Sequence, residues 1–328
     1  MFAEKIGVNG GNSWNRSTEE INDPQTSDSR HSATNEEKNN TIIAYEEEHP
    51  EDAAKIDKFI DAGDNNKLTE DDIRNIKYLI YTAEEPYRSI YIRFLQKYKI
   101  GDGDLGGGAY YRPWKHTVNY TYPDSFGDDP RGAYTTFFHE CGHGIGDQAN
   151  ETKWLGSDTE NYKIYSEALG KKVSLREAIE YDVYYNEGNP HSMTSIANNI
   201  IASGKSGSTG NVENVINAMK SGSSGGLGKD DVQLYNAVKN EYQRTTGRDA
   251  TFEAVTDVYG GVSHNELRNK GYGHSTDYWN DTTNPGKELW AEYFSYNMAG
   301  DQKNLDNLRE YFPESSKVLD QYAADIGG

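Results

Sequence analysis

Two histidines stand four residues apart in His139-Glu140-Cys141-Gly142-His143, with a glutamate directly after the first, and no other stretch restricts this chain so tightly. In a helix, positions i and i+4 share a face, so both imidazoles point the same way while Glu140 stands at the neighbouring edge. The surroundings support a helix: Phe137, Phe138, Cys141 and Ile145 recur at spacings of three and four and form an apolar stripe. Gly144 and Gly146 read as its stop signal. Two ring nitrogens on one face suit zinc, and a carboxylate beside the ion can take a proton from water and pass it to a leaving amine. The chemistry implied is amide hydrolysis with Glu140 as general base. A core helix whose histidines merely find hydrogen-bond partners is the bland alternative, and the full pattern outweighs it.

The third ligand decides the kind of site. The longer metzincin pattern would put a histidine six residues after His143, but Ala149 occupies that place and cannot bind a metal. The best downstream candidate is Glu288 in Lys287-Glu288-Leu289-Trp290-Ala291-Glu292-Tyr293-Phe294, where two carboxylates stand four apart. Trp290, Ala291 and Phe294 mark this helix as half-buried, which favours a site over an exposed acidic face. Glu292 is spaced to accept the second N–H of a ligand imidazole and so fix its tautomer.

His-Glu-x-Gly-His followed by this glutamate helix resembles the zinc metallopeptidase domain of the anthrax-lethal-factor-like family, within the gluzincins. The resemblance covers the two helices. It implies a zinc endopeptidase with His139, His143 and Glu288 as Zn2+ ligands, Glu140 as base and Glu292 as the brace of a ligand histidine. Residues 271–279, Gly-Tyr-Gly-His-Ser-Thr-Asp-Tyr-Trp, are similar to a segment preceding the glutamate helix in metallopeptidase domains of phage head proteins and bacterial polymorphic toxins. In lethal-factor-like enzymes a tyrosine shortly before the glutamate donates to the developing oxyanion, which implies that role for Tyr278. Tyr278 stands ten residues before Glu288, a slightly longer interval than the family's. Tyr272 and His274 are further candidates for oxyanion or substrate contact. The expected partner is a protein or peptide substrate, and a toxin or effector role would add a cognate inhibitor or immunity protein. The alternative is a non-enzymatic, zinc-stabilised interaction or phage-head-associated module, whose ion would need a fourth protein ligand such as His274.

The expected fold class is α+β: a zincin-like metallopeptidase domain, mostly helical with a small mixed sheet, after a helical N-terminal region. Residues 1–40 have the polar composition of a disordered tail. Residues 41–100 carry three helical stripes: Ala53, Ile56, Phe59 and Ile60; Ile73, Ile76, Leu79 and Ile80; Ile90, Phe94, Leu95 and Tyr98. Asp61 to Asp72 faintly echoes a calcium loop, but Gly63 and Asn66 spoil it, and Thr69 with Asp72 reads better as a helix cap. Residues 101–328 form the expected metallopeptidase domain. Its strand signal lies in Tyr110 to Tyr122, and helices are expected at Tyr162–Leu169, Leu175–Tyr185, Val232–Gln243 and Leu305–Ile326. A Gly/Ser-rich insertion near 203–229 reads as flexible linker on either side of a short helix, Asn211–Lys220.

A formal charge of -20 argues against nucleic acid and against an anionic membrane surface as partners. Cys141 is the only cysteine, so no intrachain disulfide exists. With no apolar run long enough to span a bilayer and no signal-peptide core, the expected setting is either the cytosol or delivery by a non-Sec route.

Overall fold

Local capping chemistry sets where the N-terminal helices begin. The computed structural model describes residues 29–61, 68–97, 99–100, 109–119, 132–151, 162–204, 207–247, 250–268 and 273–328. After the single turn α1 (Ser29–Ser32), α2 (Asn35–Glu48) starts at a reciprocal cap: Glu37 N donates to Thr34 Oγ1 at 3.2 Å, and Thr34 N donates to the Glu37 carboxylate at 2.7 Å. The tail expected over residues 1–40 is therefore too long. Helix occupies 29–32 and 35–40; the second stretch forms because this cap starts α2 and Ile42 and Tyr45 then pack on the core, Tyr45 stacking on Tyr81 at 4.2 Å. The rest of that tail, 1–28, lies outside the described residues.

The three stripes of the next segment fall on α3 (Pro50–Asp61), α4 (Glu70–Thr82) and α5 (Tyr87–Phe94), with Leu95 of the third in a tight turn after α5 and Tyr98 outside the described residues. Thr69 and Asp72 form the capping box of α4, as their spacing predicts, while 62–67 of the calcium-like loop lie outside the described residues. Buried side chains of these helices, among them Ile56, Tyr91 and Phe94, join the same core as those of the later helices.

β1 (Lys99–Ile100) pairs parallel with β3 (Thr117–Asn119), and β2 (Tyr110–Arg112) pairs antiparallel with it. This small mixed sheet, ordered β1-β3-β2, lies against α6 (Thr135–Glu151). The helix expected over Tyr162–Leu169 is instead the start of a hairpin, β4 (Ile164–Ser166) with β5 (Lys171–Val173). Gly170 at φ 62° and the Leu169 N–H donated to Ser166 Oγ close its turn, a local geometry that competes with helix.

α7 (Leu175–Glu180) starts at a Ser174–Glu177 capping box and continues as wider turns through Tyr185. α8 (Met193–Ala202), α9 (Val212–Lys220) and α10 (Lys229–Thr246) follow. The described Gly/Ser residues around α9 form hydrogen-bonded turns, mostly exposed, with two glycines set close against other elements. A β-carbon at Gly210 would lie 2.6 Å from Leu234 on α10, and one at Gly222 would lie 2.7 Å from His264, so glycine here permits contact. Residues 205–206 lie outside the described residues. α11 (Glu253–Val262) and α12 (Asn284–Ala299) lead to α13 (Gln302–Tyr311) and α14 (Pro313–Gly327). The single closing helix expected over Leu305–Ile326 breaks at Phe312, because Pro313 has no N–H to continue the ladder and instead opens a new helix. The described residues are thus α+β: mostly helix, with a small mixed sheet and one hairpin.

Candidate metal centre

α6 does not stop at Gly144 and Gly146; it runs on to Glu151. Glycines in this helix serve proximity instead. A β-carbon at Gly142 would stand 3.0 Å from the Cα of Ala291, and one at Gly146 would stand 3.3 Å from the Trp290 ring. The backbones of α6 and α12 can therefore approach closely, and the indole N–H of Trp290 locks them by donating to the Gly142 carbonyl at 3.0 Å. The apolar stripe behaves as its spacing predicts: Phe137, Phe138, Cys141 and Ile145 are fully buried.

This approach sets Glu288, near the start of α12, against the histidine pair. His139 Nε2 lies 3.0 Å from His143 Nε2, and Glu288 Oε2 lies 3.3 Å from the first and 3.5 Å from the second. Tetrahedral zinc with bonds of about 2.0–2.1 Å sets neighbouring donors roughly 3.3–3.4 Å apart, close to this triangle. Two imidazole nitrogens facing each other at such a distance repel unless a proton or a shared cation lies between them. His139, His143 and Glu288 are one of two groups of metal-capable side chains among the described residues. On the far side of the His139 ring, Nδ1 is 3.3 Å from Oε1 of Glu292, the acid expected as its brace. Glu140 is buried beside them, 2% exposed.

The second group shares Glu288 and adds Asp257 and His274. Asp257 holds His274 twice: Oδ1 accepts the backbone N–H at 2.8 Å, and Oδ2 stands 2.7 Å from the ring Nδ1. The loop comes this close because Gly273, at φ 100°, has no β-carbon; one would fall 2.2 Å from Asp257 Oδ1. With Nδ1 committed to Asp257, the other ring nitrogen, Nε2, faces the centre, 3.8 Å from Glu288 Oε1. Tyr278 stacks on the His274 ring at 4.0 Å, and its hydroxyl donates to Glu288 Oε1. Tyr272 lies outside the described residues.

Asp257 is the member of this cluster that sequence reasoning missed. Its signal was present: a lone acid within Ala254, Val255, Val258 and Tyr259, all buried on α11.

Electrostatics agree with a cation-seeking pocket. Burial opposes charge on His139 and His143, yet neighbouring carboxylates overcome it and raise both imidazoles, His139 well above its usual range through Glu292, Glu288 and Glu140, and His143 chiefly through Glu288. Burial also opposes charge on Glu288, but His143 and His274 pull it well below the usual carboxylate range. His274 is held up at about 9: burial lowers it, and Asp257 and Glu288 raise it by more. The buried carboxyls of Glu140, Glu288, Glu292 and Asp257 create a demand for positive charge, which protons on the imidazoles meet in the metal-free chain. A divalent ion at the triangle would answer it, so the donor set fits zinc in charge as well as in spacing. No helix among the described residues is long and apolar enough to cross a membrane.

No protein-family model matches this chain, and no curated protein or solved structure matches it either.

Proposed function

We propose that the chain is a zinc-dependent endopeptidase of the zincin type, with the metallopeptidase domain in residues 101–328. The observation that carries this reading is the triangle of His139 Nε2, His143 Nε2 and Glu288 Oε2, closed by side chains from two helices far apart in sequence. The ion, when held there, would polarise a scissile carbonyl and bring the pKa of water toward neutrality. Glu140 takes a proton from the attacking water and hands it to the departing amine. His274, fixed by Asp257 so that Nε2 faces the centre, is positioned to donate to the carbonyl oxygen as negative charge develops. Tyr278 stands beside it, although its hydroxyl is engaged with Glu288 and must leave that bond to donate elsewhere.

A structural zinc site would close with four protein ligands. Here His274 is not part of the His139, His143 and Glu288 group and its Nε2 lies 3.8 Å from the other oxygen of Glu288, Oε1, so three protein ligands leave the site open, which favours catalysis. β2 is at an edge of the sheet that packs on α6, where an extended peptide can add by strand pairing. The biological setting that goes with the resemblance is a toxin or effector domain.

The test is digestion of a peptide library by the zinc-loaded chain and by Glu140→Gln. Turnover should fall on the order of 10²–10⁴-fold with zinc retained. Equal cleavage by both, or loss of zinc from the variant, contradicts the role given to Glu140.

A further inference from the structure

The two oxygens of Glu288 face different partners. Oε2 looks at both imidazoles, at 3.3 and 3.5 Å, while Oε1 accepts the Tyr278 hydroxyl and lies 3.8 Å from His274 Nε2. A carboxylate left to itself can give a metal one oxygen or two. Giving two would fill a position that a hydrolytic site needs for water and substrate.

We propose that Tyr278 is a positioning residue that holds Glu288 to one-oxygen coordination, so that the metal site stays open; this rests on the metal-site reading above. The phenol is built to stay in place. Its backbone N–H donates to Ser275 O at 3.1 Å, and its carbonyl accepts from Asn284 Nδ2 at 2.8 Å, tying it to the first residue of α12. Its ring stacks on His274 at 4.0 Å and meets Trp279 in a T-shaped contact at 4.9 Å, the three rings forming one cluster. A side chain fixed through both backbone and ring serves better as a clamp on a ligand than as a group that swings onto substrate. The hydrogen bond also withdraws charge from Oε1, leaving Oε2 the better donor toward the imidazole pair.

Cobalt(II) reports coordination directly, because four-coordinate cobalt absorbs visible light more intensely than five-coordinate cobalt. Cobalt-loaded protein is compared with cobalt-loaded Tyr278→Phe, which keeps the ring stack and removes only the hydroxyl. The proposal expects the visible bands to weaken and shift in the variant as Oε1 joins the metal. In the zinc-loaded form it expects kcat to fall on the order of 10–100-fold, with KM nearly unchanged. Tyr278→Leu serves the same comparison if the phenylalanine variant does not fold. An unchanged cobalt spectrum beside a lowered kcat overturns the clamp and leaves Tyr278 as a direct oxyanion donor. If the parent chain binds no cobalt, the metal-site reading itself falls, and the clamp with it.

Discussion

Asp182 and Glu288 are both buried carboxylates, and their surroundings differ in kind. Asp182 sits against the start of α14 and is met by donors: Glu314 N at 3.0 Å, Ser315 N and Ser315 Oγ each at 2.8 Å, and Asn186 Nδ2 at 3.2 Å. Nothing about it asks for a further ligand. It caps a helix from a distance of more than a hundred residues and ties the turns after α7 to the C-terminal helix. Glu288 is met instead by imidazoles whose nitrogens converge with its own oxygen on one point. A buried acid surrounded by N–H groups is part of the scaffold; one surrounded by other ligand atoms is a place for a cation.

Changes at Asp182 and around Glu288 should therefore separate stability from metal binding. Asp182→Ala strands the amides of α14 and should lower the unfolding free energy by about 3 kcal/mol, with zinc stoichiometry unchanged. Urea denaturation and metal analysis on one sample read both, and loss of zinc there would erase the distinction. Glu292→Gln should do the opposite, weakening zinc on the order of 10–100-fold with little change in the metal-free melting curve; competition against a chelator measures it. Gly142→Ala probes what brings Glu288 to the histidines. The added methyl meets Ala291 and should cost about 1–2 kcal/mol, with a weaker zinc site as α12 shifts, whereas a loss of stability alone would uncouple the helix crossing from the site.

The smallest effect is on pH dependence. Burial pushes Asp182 up to about 6 against the donors that lower it. An unfolded aspartate titrates near about 3.9, so between those values the folded chain holds a proton that the unfolded chain has lost. This group's contribution to stability falls as pH rises through that window. In metal-free protein, the parent should lose ground relative to Asp182→Asn on going from about pH 4 to about pH 6.5. The reverse trend in urea midpoints would show that the amide donors win.

The histidine pair and the glutamate pair were legible because each is a local pattern, four residues apart on one helix, and each carries its own apolar neighbours. The stripes of α3, α4 and α5 were legible for the same reason. What escaped depends on contacts between distant segments. A glycine that ends a helix and one that lets another helix approach look alike in sequence, so Gly146 reads as a stop until Trp290 of α12 is seen beside it. Asp257 and His274 stand seventeen residues apart, and no periodicity links them. The hairpin at residues 164–173 turns on one glycine φ angle, and the break at Phe312 on the proline that follows it.

The most direct test of the account is zinc stoichiometry at fixed free metal, by equilibrium dialysis, for the parent chain and for Glu288→Gln, with far-UV circular dichroism to show that both are folded. One zinc per parent chain and none in the folded variant is the predicted result. The same stoichiometry in both would mean that another residue closes the site begun by His139 and His143, and that Glu288 is not its third ligand.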